Sequence, residues 1–355
     1  MPLGRLGTLR SRWPATVALV AVTALTACSA APLPSRSESA ARLTPAASAA
    51  SEEPPSPAAS SGIGSTAPTA SPGPVRVRAT VLSANLPTGL GRAVAVAVGS
   101  RILVYGGFTS TGITTDAIVA FDPASGDVAR VGHLADAVHD AAGVALGGAT
   151  LIFGGGSVAP TSAVQRIDAS GVGERIGNLP AARADLSAVV VGSSALVIGG
   201  GASGLLDRRV LATEDGVHFH TLATLVAGVR YAAVAEVGGL IYVIGGVGAA
   251  GDRTEIQRID PTNGRVTVVG RMPRPISHAS AMVIDGRLLV VGGRSAGKAQ
   301  DAIWQVDQRT GTARLVAHLP QPVSDFAVAV IGKTGYLIGG ETGTQIATIV
   351  SIVIQ

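Results

Sequence analysis

The chain has 355 residues, 47% hydrophobic but only 3% aromatic, with 47 glycines and 14% charged residues. Long amphipathic helices need more charge than this, whereas many short strands joined by glycine turns do not. The net charge of +4 falls to +1 once Arg5, Arg10 and Arg12 are set aside, and no Lys/Arg-rich run remains, which excludes a basic nucleic-acid-binding face.

Residues 1–27 predict a secretory signal: a basic start, then an apolar stretch from Ala15 to Leu25 that is too short to span a bilayer. The stretch closes on "LTAC" at 25–28, and Cys28 is the single cysteine of the chain. These four residues resemble a bacterial lipobox. The resemblance implies cleavage before Cys28, lipid on its thiol, and an anchor on the extracytoplasmic face of the cell membrane. The alternative is a plain secretory signal that happens to contain a cysteine. Residues 28–74 are Ala/Ser/Pro-rich with almost no large apolar side chains, so they predict a disordered tether with a reach of roughly 40 Å.

Six apolar runs ending in two glycines follow: "LVYGG", "LIFGG", "LVIGG", "YVIGG", "LVVGG" and "YLIGG". Their first glycines are Gly106, Gly154, Gly199, Gly245, Gly292 and Gly339. Each stands 20 residues after a Leu or Met: Leu86, Leu134, Leu179, Leu225, Met272 and Leu319. A fixed core with drift confined elsewhere is structural repetition. Within each copy a short apolar run without helical period precedes a turn pair such as Gly99-Ser100, Gly147-Gly148 or Asp285-Gly286. Such pairs supply the positive φ of a two-residue hairpin. A second strand then ends at the Gly-Gly, and turns such as "FDPASG" (121–126) and "RIDPTNG" (258–264) lead from a third strand to a fourth.

Four strands per copy in six copies predict an all-β, six-bladed β-propeller over 75–355. The last copy stops without a fourth strand, and "VRVRATVLSANLP" (75–87) matches that missing segment. The N-terminal strand is therefore expected to close the last blade and remove an exposed edge. The uncharged run from Ser187 to Leu206 is read as two strands of the third blade, since its glycines keep the common register. The apolar-Gly-Gly, the Asp-Pro turn, the Leu-Pro before the next copy, and Tyr242 and Tyr336 resemble the Kelch repeat family, whose fourth-strand Trp is replaced here by Val and Ile.

Alignment of the copies separates scaffold from candidate site. Six residues after each Leu/Met landmark stand Arg92, Asp140, Asp185, Tyr231, His278 and Asp325, all polar or polar-tipped. They are expected to open the innermost strands and rim one mouth of the central channel, with Arg294 and Glu341 on loops of the same face. Such a ring could bind a small polar ligand, a sugar or a cation. It could equally bond loops and order channel water. Separate blades hold its members too far apart for a shared metal ion, so no metal ligand is assigned. His218 and His220 flank Phe219 on a fourth strand and are weak metal evidence. His133 and His318 stand where other copies have Asn85, Asn178 and Arg271, as a generic polar joint. Glu236 is the lone acid in a column of Ala and Val, readable as a buried proton donor or a solvated channel residue.

No catalytic motif stands out. "GGRSAGKAQ" (292–300) lacks the hydroxyl residue that a phosphate-binding loop has after its lysine. The Cys–Tyr crosslink of copper-radical galactose oxidases, which share a Kelch-like propeller, has no cysteine available. No cofactor is assigned, and the short loops carry no insertion. The expectation is a lipid-anchored binding or scaffolding module for a protein or glycan of the cell envelope. The alternative is a carbohydrate-active enzyme, such as a sialic-acid-type mutarotase or lyase, using the same ring; that likeness is of fold alone.

Overall fold

The computed structural model describes residues 73–355. The predicted signal over 1–27, Cys28 and nearly all of the 28–74 tether lie outside the described residues. Among the described residues every regular element is a strand.

The strands form six four-stranded antiparallel blades, two of which carry a short extra hairpin strand. The first strand of blade 1 is Val94–Val98, followed by Ala142–Leu146, Ala184–Val191, Ala233–Val237, Ser280–Ile284 and Ala327–Ile331 in blades 2 to 6. These six strands neighbour one another around a closed circle, blade 6 returning to blade 1. Val77–Asn85 pairs antiparallel with Thr348–Ile354 as the outer strand of blade 6, as the terminal segments predicted. The run from Ser187 to Leu206 is two paired strands of blade 3.

The first and second strands of every blade join through the predicted two-residue turns. Gly147-Gly148, Gly238-Gly239 and Asp285-Gly286 have positive φ at both residues. Gly99, Gly192 and Gly332 have it at the first residue only, which suits the alternative hairpin turn with glycine leading. Between third and fourth strands a β-bulge recurs in blades 1 to 5. It leaves one extra apolar residue on the fourth strand: Val131, Ile176, Leu222, Val269 or Val316. In blades 2 to 5 that residue packs against a blade interface. The core is thus a set of separate inter-blade layers.

The double glycines have a common structural reason. The second glycine of each pair donates its N–H to a carbonyl of the following blade: Val138, Arg183, Val229, Ile276, Val323 and, across the closure, Leu90, at 2.8–3.0 Å. The first glycine has φ between +55° and +67°, and a Cβ on it would stand 2.1–2.7 Å from that same carbonyl oxygen. Only glycine permits both the left-handed turn and the close approach.

Candidate functional site

The structure brings the six predicted ring residues together. Arg92, Asp140, Asp185, Tyr231, His278 and Asp325 line one cavity of ≈ 130 Å³ at the mouth of the channel. Below them the channel wall is mostly apolar, with Ala93, Ala141, Ala232 and Ala279 among its residues.

One expectation is corrected in detail. The ring residues do not open the innermost strands, which begin two residues later in every blade but the third. The cause is backbone conformation: all six have φ between +53° and +62°. Such values are uncommon outside glycine and cost energy that the surroundings must offset. Here a circle of hydrogen bonds does so. Each ring residue donates its N–H to the carbonyl of the ring residue in the preceding blade, at 2.7–3.2 Å, and Arg92 closes the circle onto Asp325. The ring is therefore a second inter-blade fastening as well as a set of side chains.

Arg294 and Glu341 complete a charge network over this ring. Glu341 Oε1 accepts from Arg92 Nε at 2.8 Å, and its Oε2 accepts from Arg294 Nη2 at 2.7 Å. Arg294 Nη2 also lies 2.8 Å from Asp325 Oδ2, and Arg92 Nη1 3.5 Å from Asp140 Oδ2. On the other side Arg230 reaches Asp185 at 3.3 Å and lies over the Tyr231 ring, which stacks on the His278 imidazole with centroids 3.8 Å apart.

Burial sets the protonation of this network. Asp140 is pushed up to about 8, first by burial and then by the charge of Asp185, against the pull of Arg92. Asp325 is pushed up to about 6 by burial, which its bond from Ser324 and the nearby Arg294 only moderate. Burial also raises Asp185. Burial, then Arg294 and Arg92, hold His278 down at about 3, so its imidazole is neutral and its 4.0 Å approach to Asp325 is no ion pair at neutral pH. Burial would raise Glu341 too, but the bond and charge of Arg92 outweigh it and keep it low. The mouth at pH 7 thus combines internally paired arginines with a protonated Asp140.

This makes stability pH-dependent with a definite sign. The native chain keeps the Asp140 proton up to about pH 8, while an unfolded aspartate releases it near ~4. Between those values the native state binds more protons, so this group's contribution falls as pH rises, by at most about 1.4 kcal/mol per unit, and levels off above. Asp140→Asn is expected to raise the melting temperature by an amount that grows from pH 5 to 8. A gain independent of pH in thermal melts contradicts a raised Asp140.

Sequence alignment of the copies passed over the residues just before the ring. His139, Arg230, Ser277 and Ser324 occupy that column, with Gly91 and Ala184 in the other two blades. Each of the four pairs its backbone with the residue two past a first glycine: Gly156, Val247, Arg294 and Glu341. Ser324 Oγ bonds both Asp325 and Arg294, and His139 Nε2 lies 3.7 Å from Asp140. Four polar residues in six copies beside an all-polar column was the signal available.

The other candidates lie elsewhere. Glu236 accepts the Gly239 N–H at 2.7 Å, capping its own hairpin at the far end of the blade. Of the His218/His220 pair only His220 is on the strand; exposed His218 sits in a turn, bonded to Asp215 at 2.7 Å. His318 pairs with Asp301 at 3.1 Å, and His133 lies 3.2 Å from the Leu134 carbonyl. Among the described residues no cluster of three His, Cys, Asp or Glu side chains is arranged for a metal ion, and no helix is long and apolar enough to cross a membrane.

Residues 229–273, which run from the mouth of blade 4 through its fourth strand, match the family model for the Kelch motif. With six closed blades built on one repeat, the described domain is a Kelch-repeat β-propeller. No curated protein matches the chain. The architecture points to a binding or scaffolding module.

Proposed function

We propose that the chain is a lipid-anchored, extracytoplasmic binding module whose mouth face docks a protein partner in the cell envelope. The observation that carries this reading is the mismatch between cavity and rim. The mouth cavity of ≈ 130 Å³ falls short of the ~300 Å³ at which small-molecule pockets begin. Around it, loop tips of three consecutive blades hold Ile113, Val158 and Leu205 in solvent, with 62%, 101% and 76% of their surface exposed. Single exposed residues of this kind are common, but an arc of three on one functional face suits a partner's surface. Anchoring rests on the "LTAC" segment and Cys28.

A glycan is the second reading. A recess of ≈ 280 Å³ lies where the loops of blades 3 and 4 meet, beside Asp185 and Arg230. The carbohydrate-enzyme alternative would use the polar ring itself, and its signature is sugar turnover lost on replacing Asp140, Asp185 and Asp325 together.

The test places a photo-crosslinking residue at Leu205 or Ile113 in cells, with Lys333 on the opposite face as control. Adducts are expected from the mouth positions only, in the membrane fraction, and Cys28→Ser should release them to the soluble fraction. Equal adducts from both faces, or none, removes the protein reading. A thermal shift with an envelope glycan that Arg230→Ala abolishes would replace it with the second.

A further inference from the structure

A second cavity lies at the opposite end of the blades, between blades 1 and 2. It measures ≈ 480 Å³, and its lining includes Ala97, Val98, Leu103, Val131, Ala145 and Ile167. That volume is inside the ~300–1,000 Å³ range of small-molecule sites. It is roughly three times the ~150 Å³ apolar cavity that accepts a benzene ring.

The void has a cause in the sequence. Strand register makes Leu103, Thr150 and Ile167 the counterparts of Tyr336, Ile102 and Phe121. Those three close the interface between blades 6 and 1, where the Phe121 and Tyr336 rings meet edge to face at 5.7 Å. Between blades 1 and 2 both rings are missing. Other interfaces are filled by different means. Tyr242 and Trp304 pack between blades 4 and 5. Phe219 reaches Phe153 at 6.2 Å between blades 2 and 3. Met282 takes the space over Gly335 between blades 5 and 6. At the blade 1–2 interface Val98 and the bulge residue Val131 remain 44% exposed instead.

The lining also holds a buried polar pair. The Tyr105 hydroxyl and Thr150 Oγ1 are 2.7 Å apart. One of the two O–H groups is used in that bond, which leaves the pair one proton to donate. The corresponding positions between blades 6 and 1 are Ile338 and Ile102, so blade packing does not require either hydroxyl. At the rim Arg101 pairs with Asp122, and the Asp168 carboxylate is held by bonds from the Ser170 N–H and hydroxyl.

From the missing rings, the volume and the spare hydroxyl, we propose that this cavity binds a small, neutral, apolar molecule of two to three rings carrying one hydrogen-bonding oxygen. The ligand stands in for the two absent aromatic side chains, and its oxygen accepts from the Tyr105–Thr150 pair.

The test titrates the full chain with 2-naphthol, followed by the probe's own fluorescence, beside naphthalene, which lacks the oxygen. One-to-one saturable binding is expected, at least tenfold tighter for 2-naphthol. Thr150→Val should reduce that preference several-fold. Ile167→Phe, which restores the ring found at the blade 6–1 interface, should weaken both probes at least tenfold. Methyl NMR of the unmodified sequence keeps the proposal testable if that variant does not fold: 2-naphthol should shift Ala97, Val98 and Ala145. Absence of saturable binding, binding that survives Ile167→Phe, shifts confined to other blades, or a dimer that buries Val98 and Val131 would each overturn it.

Discussion

Gly339→Ala is expected to destabilise the propeller by about 3–5 kcal/mol, a large part of the stability of an ordinary domain. Three costs combine. Gly339 has φ +67°, which an alanine adopts at a penalty of about 1 kcal/mol or more. A Cβ there would stand 2.1 Å from the Leu90 carbonyl oxygen, so backbone must move. That oxygen also accepts the Gly340 N–H at 2.8 Å, and losing the bond leaves a buried group unpaired at about 1–3 kcal/mol. The site joins blade 6 to the segment that enters blade 1, where the circle closes. Gly112→Ala is the control: its φ is +79°, but nothing lies within 4 Å of the added methyl. Denaturant unfolding of both variants separates the backbone penalty from the close approach. Equal losses would mean that the inter-blade contact yields freely.

Asp207→Ala should cost a comparable amount, about 3–5 kcal/mol, because it strands a buried charge. Arg183 is 0% exposed, in a column where the other copies have Leu90, Val138, Val229, Ile276 and Val323. Its guanidinium bonds Asp207 at 2.5 Å and the Gly199 carbonyl at 3.2 Å, while its Nε has no partner. Asp207 also pairs with Arg209, which is half exposed and can turn to water when the carboxylate is removed. Replacing both members together, Arg183→Leu with Asp207→Ala, restores the apolar pattern of the other blades and should recover most of the loss. A double-mutant cycle by chemical denaturation decides this: additive single effects would show that the pair is not coupled.

Much of the fold was legible because each copy repeats the same local code. The 20-residue spacing from Leu86 to Gly106, found again from Leu319 to Gly339, located every blade. The Val77–Asn85 strand was readable as the missing outer strand because its segment ends in Leu86-Pro87, as two other copies end in Leu179-Pro180 and Leu319-Pro320. The ring was legible as a column, and Arg294 and Glu341 as its neighbours. The left-handed conformation of that column was not, since Arg92 and Tyr231 are residue types that seldom adopt positive φ. Nor was the role of the preceding column, where Ser324 and His139 contact ring carboxylates only after two loops have converged.

Repetition determined by itself the number of blades, their order, the closure and the face on which the ring lies, because each follows from strand period and turn chemistry within about 47 residues. Tertiary structure alone decided how the copies differ in effect. The bond from Arg92 to Glu341 spans 249 residues of sequence. The raised pKa of Asp140 depends on burial that only the assembled mouth provides. The cavity between blades 1 and 2 arises from three side-chain changes, two of which lose a ring, that become one void when two blades face each other. Local periodicity encodes backbone pairing, whereas volume and electrostatics are sums over groups that meet only across an interface.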